Sequence, residues 1–421
     1  MTTTAKTTAA AALETADRRA GALADPHTVW PNGRPPGPRA QPQSLGGGAA
    51  GIALLHIERA RTNHGDWATA HTWLTAAVQG DVSAAANANL YFGAPALSYL
   101  LHRATAGTPN RYRSARKRLD AATLAVTQNR LAAAHRRLNR AERPAMEEFD
   151  LIQGLTGLGA HHLSCHPHTP ITHDVLAYLV RLTEPLPKRA GLPGWWMDVA
   201  PTGAPHPDYP GGHGNFGLAH GIGATLAVLS LAFLHGVHVP GIPEAIERIC
   251  AWTDRWRQGE PAASWWPGYI SRRQADDHHV HCALRPRPSW CYGAAGTARA
   301  QQLAGLALHD LERVRIAENA ILATLRDPRQ LDNLPETGLC HGTAGLLHAA
   351  WRTATTESSS GSAQIAAELP GLTDRLITSL DGNGLTDPEL LDGAAGAALA
   401  LHTVATASAP PPHWDAFLAL A

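Results

Sequence analysis

The 421-residue chain has no excess of charge of either sign, with 35 basic side chains against 35 acidic ones. Nucleic-acid binders normally carry a strongly basic balance, so that class is not expected. Lysine is nearly missing, present only as Lys6, Lys117 and Lys188. Together with the abundance of alanine and proline this marks codon bias, so alanine content carries little structural weight. Cysteine is scarce and odd in number: Cys165, Cys250, Cys282, Cys291 and Cys340. Five thiols in so long a chain argue against a disulfide framework and for metal binding or catalysis. Long apolar runs are lacking too. The longest, Gly221–Leu234, falls well short of the ~20 residues of a membrane span. Met1–Ala12 has none of the Leu- or Phe-rich core of a signal peptide. The expectation is a soluble, cytoplasmic protein. Hydrophobic residues make up 44% of the chain, enough for a large core, so a disordered or fibrous chain is excluded.

A repeat runs through the chain. The element Gly-x-x-Gly, or close to it, precedes an Ala/Leu-rich run seven times, its first glycines being Gly48, Gly93, Gly154, Gly221, Gly293, Gly342 and Gly393. In the copies at Gly93 and Gly221 the last glycine is replaced by Ala96 and Ala224. Each interval is long enough for two helices. The runs after the glycines are apolar nearly all round, as a helix buried on every side must be. Segments between them, such as Pro243–Trp256 and Leu303–Leu325, are more polar with helical spacing. Buried inner helices alternating with amphipathic outer ones predict an all-α fold, an α/α toroid of about seven helical hairpins. The glycines let backbones approach closely where each inner helix begins.

Two stretches break the repeat. Residues 1–43 are Thr/Ala-rich and then Pro-rich (Pro31, Pro35, Pro36, Pro38), which predicts a short helix and a loop leading into a toroid domain over 44–421. Residues 165–213 carry many prolines and glycines around Trp195-Trp196, which predicts an irregular insertion, with room for strands.

If the repeats are equivalent, the two residues before each first glycine share one rim of the toroid. Among them are His220, Cys291-Tyr292, Cys340-His341 and Asp392. Two thiolates and an imidazole at the mouth of one cavity suit zinc, and three protein ligands with a fourth position open is the catalytic pattern. Two other clusters, His161, His162, Cys165, His166 and His168, and His278, His279, His281 and Cys282, fall off the rim in polar, loop-like sequence. They read as solvated surface.

Trp290-Cys291-Tyr292-Gly293, Cys340-His341-Gly342 and Asn215-Phe216-Gly217-Leu218-Ala219-His220-Gly221 together resemble the LanC-type lanthionine cyclases. The resemblance extends from Ser44-Leu45 to Leu401. It implies an α/α toroid with one catalytic Zn2+ on Cys291, Cys340 and His341. It further implies His220 as acid/base residue, Arg287 and Asp150 as active-site residues, and Tyr292 as the tyrosine after the first zinc cysteine. Each has a plainer reading beside it. His220 would serve as a hydrogen-bonded core histidine, Asp150 as a helix cap, and Tyr292 as packing for the cavity wall.

The implied reaction adds a cysteine thiol to dehydroalanine or dehydrobutyrine in a dehydrated ribosomal precursor peptide bearing a leader, giving lanthionine or methyllanthionine. With no dehydratase machinery visible, a separate dehydratase is the expected partner. Rival readings are another zinc toroid that activates a thiol, such as a prenyltransferase, and a non-catalytic zinc scaffold for thiol peptides or glutathione. A toroid glycosidase would need two rim carboxylates, where the rim offers Asp392 and little else. Between Arg111 and Arg143 ten basic residues stand against Asp120 and Glu142. Such a face could take an acidic leader, or simply be a solvated outer helix.

Overall fold

A computed structural model describes residues 3–31, 41–108, 110–187, 191–356, 359–383 and 387–421. Pro35, Pro36 and Pro38 of the lead-in lie outside the described residues. Fourteen helices of more than ten residues occur among the described ones: α1 (Thr3–Ala22), α2 (Ala49–Arg61), α3 (Trp67–Ala77), α4 (Ala94–Ala104), α5 (Arg113–Asn139), α6 (Leu155–Cys165), α7 (Pro170–Leu182), α8 (Ile222–Leu234), α9 (Ile242–Arg255), α10 (Ala294–Leu308), α11 (Leu311–Leu325), α12 (Thr343–Thr356), α13 (Ser360–Asn383) and α14 (Ala394–Thr406). The only sheet in that part of the chain is a two-stranded antiparallel pair, β1 (His213–Asn215) and β2 (Tyr269–Ser271), with Asn215 opposite Tyr269.

All seven repeat glycines stand immediately before a helix, at the starts of α2, α4, α6, α8, α10, α12 and α14. The last glycine of the element has a reason of its own. A Cβ on Gly296, in the first turn of α10, would overlap the carbonyl oxygen of Trp290, and one on Gly396 that of Leu390. The chain therefore folds back against the first turn of the inner helix so closely that no side chain fits between them. The inner helices are buried on all faces: α8 is buried at every position from Ile222 to Ala232. The outer helices bury one stripe, as α9 does with Ile242, Ile246, Ile249 and Thr253.

The chain divides into two compact units. In the first, residues 1–123 and 325–414, inner helices α4, α2, α14 and α12 pack successively in that order. Outer helices α3 and α13 pack on α2 and α12, and α1 packs on α14. The N-terminal helix is thus the outer partner of the last inner helix. It buries Ala12, Ala16, Ala20 and Leu23, a stripe of four-residue steps ending in a three-residue one.

In the second unit, residues 124–324 and 415–421, inner helices α6, α8 and α10 pack in sequence, with α7 on α6 and α9 on α8. The run Leu303–Leu325 is not one outer helix. It breaks at His309, which adopts a left-handed conformation (φ 55°), so its first part completes α10 and the rest is α11. The stretch 165–213 is likewise more regular than its composition suggests. It contains α7, whose Pro170 sits in the first turn, where a missing N–H costs nothing, and which buries Ile171, Val175, Leu176 and Leu179. The irregular part is anchored by tryptophan. Trp195 meets Trp252 of α9 edge-on at 5.5 Å, and the Trp196 indole donates to the Gly211 carbonyl at 2.9 Å.

Candidate active site

The residues ahead of the inner helices are tied together by the main chain. In the second unit Leu151 N–H donates to Ala219 C=O, and Ala219 N–H donates to Cys291 C=O, both at 3.3 Å. In the first, Leu45 N–H donates to Tyr91 C=O (2.8 Å), Leu391 N–H to Gly46 C=O (3.0 Å), and Cys340 N–H to Leu391 C=O (2.8 Å). Equivalent positions of successive repeats within each unit therefore share one hydrogen-bonded rim. Side chains placed there are held by backbone rather than by flexible loops.

Asp150 ends the short helix Met146–Phe149 and is 1% exposed. Its Oδ1 accepts the N–H groups of Gln153 (2.6 Å) and Gly154 (2.8 Å), which fixes the turn into α6. Its Oδ2 lies 2.6 Å from Nδ1 of His220, on the next rim position. Asp150 therefore both holds the turn ahead of α6 and lies within hydrogen-bonding distance of an imidazole. With Nδ1–H donated to the carboxylate, Nε2 is the ring nitrogen left to exchange a proton. Arg130, from α5, donates to the Gln153 carbonyl beside this turn. Burial pulls its guanidinium below the ordinary range, and Asp150 and Glu147 oppose that shift.

Tyr292 sits 6.4 Å, ring to ring, from His220. Burial pushes its phenol up to about 12, with Asn215 acting in the other direction. At neutral pH it is an uncharged wall and hydrogen-bonding group. Gly217 is required here, since a Cβ would fall 2.6 Å from the Cys291 carbonyl oxygen and 2.7 Å from the Tyr292 ring. Cys291 is buried, and its Sγ lies 3.4 Å from Ser289 Oγ. Trp290 beside it is fixed by the C-terminal tail, donating its indole N–H to the Leu418 carbonyl at 3.0 Å. A cavity of about 660 Å³ opens over this face of the second unit. Arg287, Ser289, Cys291 and Tyr292 line one side of it.

In the first unit, Cys340 and His341 precede α12 on the rim. His341 Nδ1 lies 3.4 Å from Asp392 Oδ1, on the rim position of the following repeat, with 28% and 43% of the two side chains exposed. Nearby, burial and the charges of Asp387 and Asp392 raise Glu389 to about 7. Each unit carries metal-donor groups ahead of an inner helix, a thiol from Cys291 in the second and a thiol and an imidazole from Cys340 and His341 in the first. The remaining cysteines differ. Burial pushes the Cys250 thiol up to about 12, which keeps it protonated and inert.

A scan against family models matches residues 39–418 to the lanthionine synthetase C-like proteins. The chain belongs to this family. The nisin biosynthesis protein NisC of Lactococcus lactis subsp. lactis is 23% identical to this lanthionine synthetase C-like chain over 205 residues. That alignment covers 48% of each chain, so the match spans about half the length of the curated relative. The solved structure of nisin cyclase superposes with a TM-score of 0.72 at 19% identity, covering 90% of this chain and 92% of that one. The fold is accordingly that of an all-α, α/α toroid.

Other expectations need correction. His161 and His162 are not solvated loop residues. They lie on the inner helix α6, both buried, and His162 Nε2 is 2.9 Å from Thr127 Oγ1. His161 Nδ1 lies 4.0 Å from Cys165 Sγ, so one nitrogen of each ring has a partner inside. Nor is the basic stretch a uniform solvated face. Arg137 is buried against Glu148 at 2.5 Å, and Arg140 pairs with Glu142 at 2.7 Å. The second cluster is exposed as read, at His278, His279, His281 and Cys282. Sequence reasoning gave no role to Asn215 or Asp392, although Asn215 stands in the Asn-Phe-Gly motif and Asp392 on the rim. No helix among the described residues is long and apolar enough to cross a membrane.

Proposed function

We propose that this lanthionine synthetase C-like chain is a zinc-dependent peptide cyclase. It adds cysteine thiols to dehydroalanine or dehydrobutyrine in a dehydrated ribosomal precursor peptide, forming lanthionine and methyllanthionine rings. The observation that carries the reading is the Asp150–His220 couple at 2.6 Å, joined through the Ala219 main chain to the turn of Cys291. A proton-handling imidazole and a thiol suited to a metal thus share one rim. Cys291, Cys340 and His341 would hold the zinc, which when bound would lower the pKa of the substrate thiol and keep its sulfur nucleophilic at neutral pH.

The chain's own residues carry the remaining steps. The substrate sulfur attacks the β-carbon of the dehydroamino acid, a C–S bond forms, and the C=C electron pair moves onto the adjacent carbonyl as an enolate. Arg287, which lines the same cavity as Cys291, is the cation suited to stabilise that charge. A proton delivered to the α-carbon then completes the addition. His220 would supply it from Nε2, with Asp150 holding the tautomer through Nδ1. Tyr292, uncharged beside the imidazole, shapes the wall against which the peptide lies.

The reaction consumes dehydroamino acids, so a separate dehydratase must supply the substrate, and the cytoplasm is the compartment proposed. A non-catalytic zinc scaffold has no use for an imidazole oriented by a buried carboxylate. The test is incubation of the zinc-loaded protein with a dehydrated cysteine-containing peptide. Loss of free thiol without change in peptide mass supports the cyclase, whereas retained thiol with stoichiometric peptide binding supports the scaffold.

A further inference from the structure

The 660 Å³ cavity beside Cys291 is much larger than one thiol needs, and lies within the range of about 300–1,000 Å³ of sites that enclose whole ligands. Its outer wall is aromatic. Tyr269 of β2 meets Tyr209 at 6.0 Å and Tyr292 at 6.5 Å, so three tyrosine rings step inward to Cys291. Tyr269 is 40% exposed and Leu284 45%, among the few large apolar side chains open to solvent in the described residues, and both line this one cavity. Asp208 at the outer edge is 82% exposed, while two polar side chains further in are already engaged. Ser271 and Gln274 bond to each other in a capping box. Burial, with Tyr269 beside it, lifts the Tyr209 phenol to about 12. What the wall offers a ligand is chiefly apolar surface.

We infer that Tyr209, Tyr269 and Leu284 form a subsite for a bulky apolar side chain next to the cysteine being alkylated. The inference rests on the reading above in one respect: the substrate sulfur must come to Cys291, so neighbouring peptide residues must pass over this wall. A leucine, valine or aromatic neighbour would cover Tyr269 and Leu284, whereas a glycine would leave them wet. The subsite therefore selects which cysteines of a precursor are cyclised.

The experiment uses the zinc-loaded full chain and two dehydrated peptides that differ only in a leucine or a glycine beside the cysteine. Unreactive versions carry serine in place of that cysteine, so binding can be read without turnover. Wild type should bind the leucine peptide more tightly, and Tyr269→Ala and Leu284→Ala should each weaken that binding ~10-fold while leaving the glycine peptide unchanged. In turnover the same loss should fall on KM and not on kcat. Tyr269→Phe keeps the wall and should behave as wild type, and full zinc content in each variant shows that the site is intact. Equal affinity of wild type for both peptides, or an equal loss for both in the alanine variants, would overturn the subsite. Preserved discrimination in binding without any ring formation would overturn the cyclase reading and leave the subsite standing.

Discussion

Each unit carries a histidine–aspartate pair ahead of its inner helices, and the two pairs are built differently. His220 and His341 are equally exposed, at 28% of each side chain. Their carboxylates are not alike. Asp150 is 1% exposed, 2.6 Å from its imidazole, and tied to two backbone N–H groups by its other oxygen. Asp392 is 43% exposed and 3.4 Å away. A buried carboxylate with its remaining lone pairs satisfied permits little motion, so His220 has one tautomer and one orientation. That suits a group that must hand over a proton at a set place. A looser, wetter carboxylate still biases Nδ1 toward carrying the proton and leaves Nε2 for a metal, while the ring can settle to the ion. On the proposed function, one motif, imidazole beside aspartate, would serve proton transfer in one unit and metal ligation in the other.

Breaking the ligand half should have the largest effect. Cys340→Ala or Cys291→Ala should remove zinc and abolish cyclisation, whereas Cys165→Ala, Cys250→Ala and Cys282→Ala should retain the metal by elemental analysis. Full zinc in Cys340→Ala would remove this thiol from the site. Breaking the other half should separate metal from chemistry. His220→Ala should keep its zinc and lose ~10²–10⁴-fold in ring closure rate, the usual worth of a general acid/base. Zinc loss from His220→Ala would make both histidines ligands and erase the contrast. Asp150→Asn should be milder than His220→Ala in rate, because the imidazole remains. It should also lower the melting temperature, because the turn that presents Gln153 and Gly154 N–H to Oδ1 is disturbed.

Much of this was legible in the sequence, and what was not has identifiable causes. The seven first glycines mark every inner helix, since a Cβ at positions such as Gly293 or Gly393 would strike the backbone carbonyl of Arg287 or Asp387, a constraint that composition cannot hide. The rim positions followed from counting back from those glycines. The pairing of α1 with α14 did not. Its stripe is Ala12, Ala16 and Ala20, and alanine in an alanine-rich chain carries almost no signal, while the partner helix lies nearly four hundred residues away. Helix α7 was masked by prolines that sit around it and at its first turn. Both readings of Asp150 stood in the sequence, but that one carboxylate makes both contacts was not legible, because it needs the distance to His220, seventy residues on. Asp392 escaped for the same reason, since its neighbour His341 belongs to the preceding repeat.

The looser pair can be tested on its own. Asp392→Asn keeps the shape and removes the charge, and should weaken zinc affinity about 10–100-fold in competition with a chelator. Activity at saturating zinc should change little, since the carboxylate is not on the proton path. A large fall in turnover at full zinc loading would put Asp392 with Asp150 in the chemistry, and the two pairs would no longer differ in kind.

The smallest effect concerns imidazoles that do neither job. His56 and His402 lie on inner helices, and burial, as the leading cause, depresses both to about 4 from an ordinary 6.5. His56 Nε2 is 2.9 Å from the Leu23 carbonyl, and His402 Nε2 is 2.8 Å from Thr62 Oγ1. Between pH 6.5 and 4 the unfolded chain takes up protons at these positions that the folded chain refuses. Acidification through that window therefore favours unfolding, by about 1.4 kcal/mol per pH unit for each imidazole. Above pH 6.5 neither state binds the proton and the effect vanishes. His56→Gln and His402→Gln replace each ring with a side chain that can hydrogen-bond but does not titrate. Their melting temperatures should fall less steeply than wild type between pH 6.5 and 5, and should run parallel to it from pH 7 to 8. An unchanged acid slope in both variants would mean that these two rings are not held neutral by burial, and that acid sensitivity originates elsewhere, with the half-exposed rim pairs the next place to look.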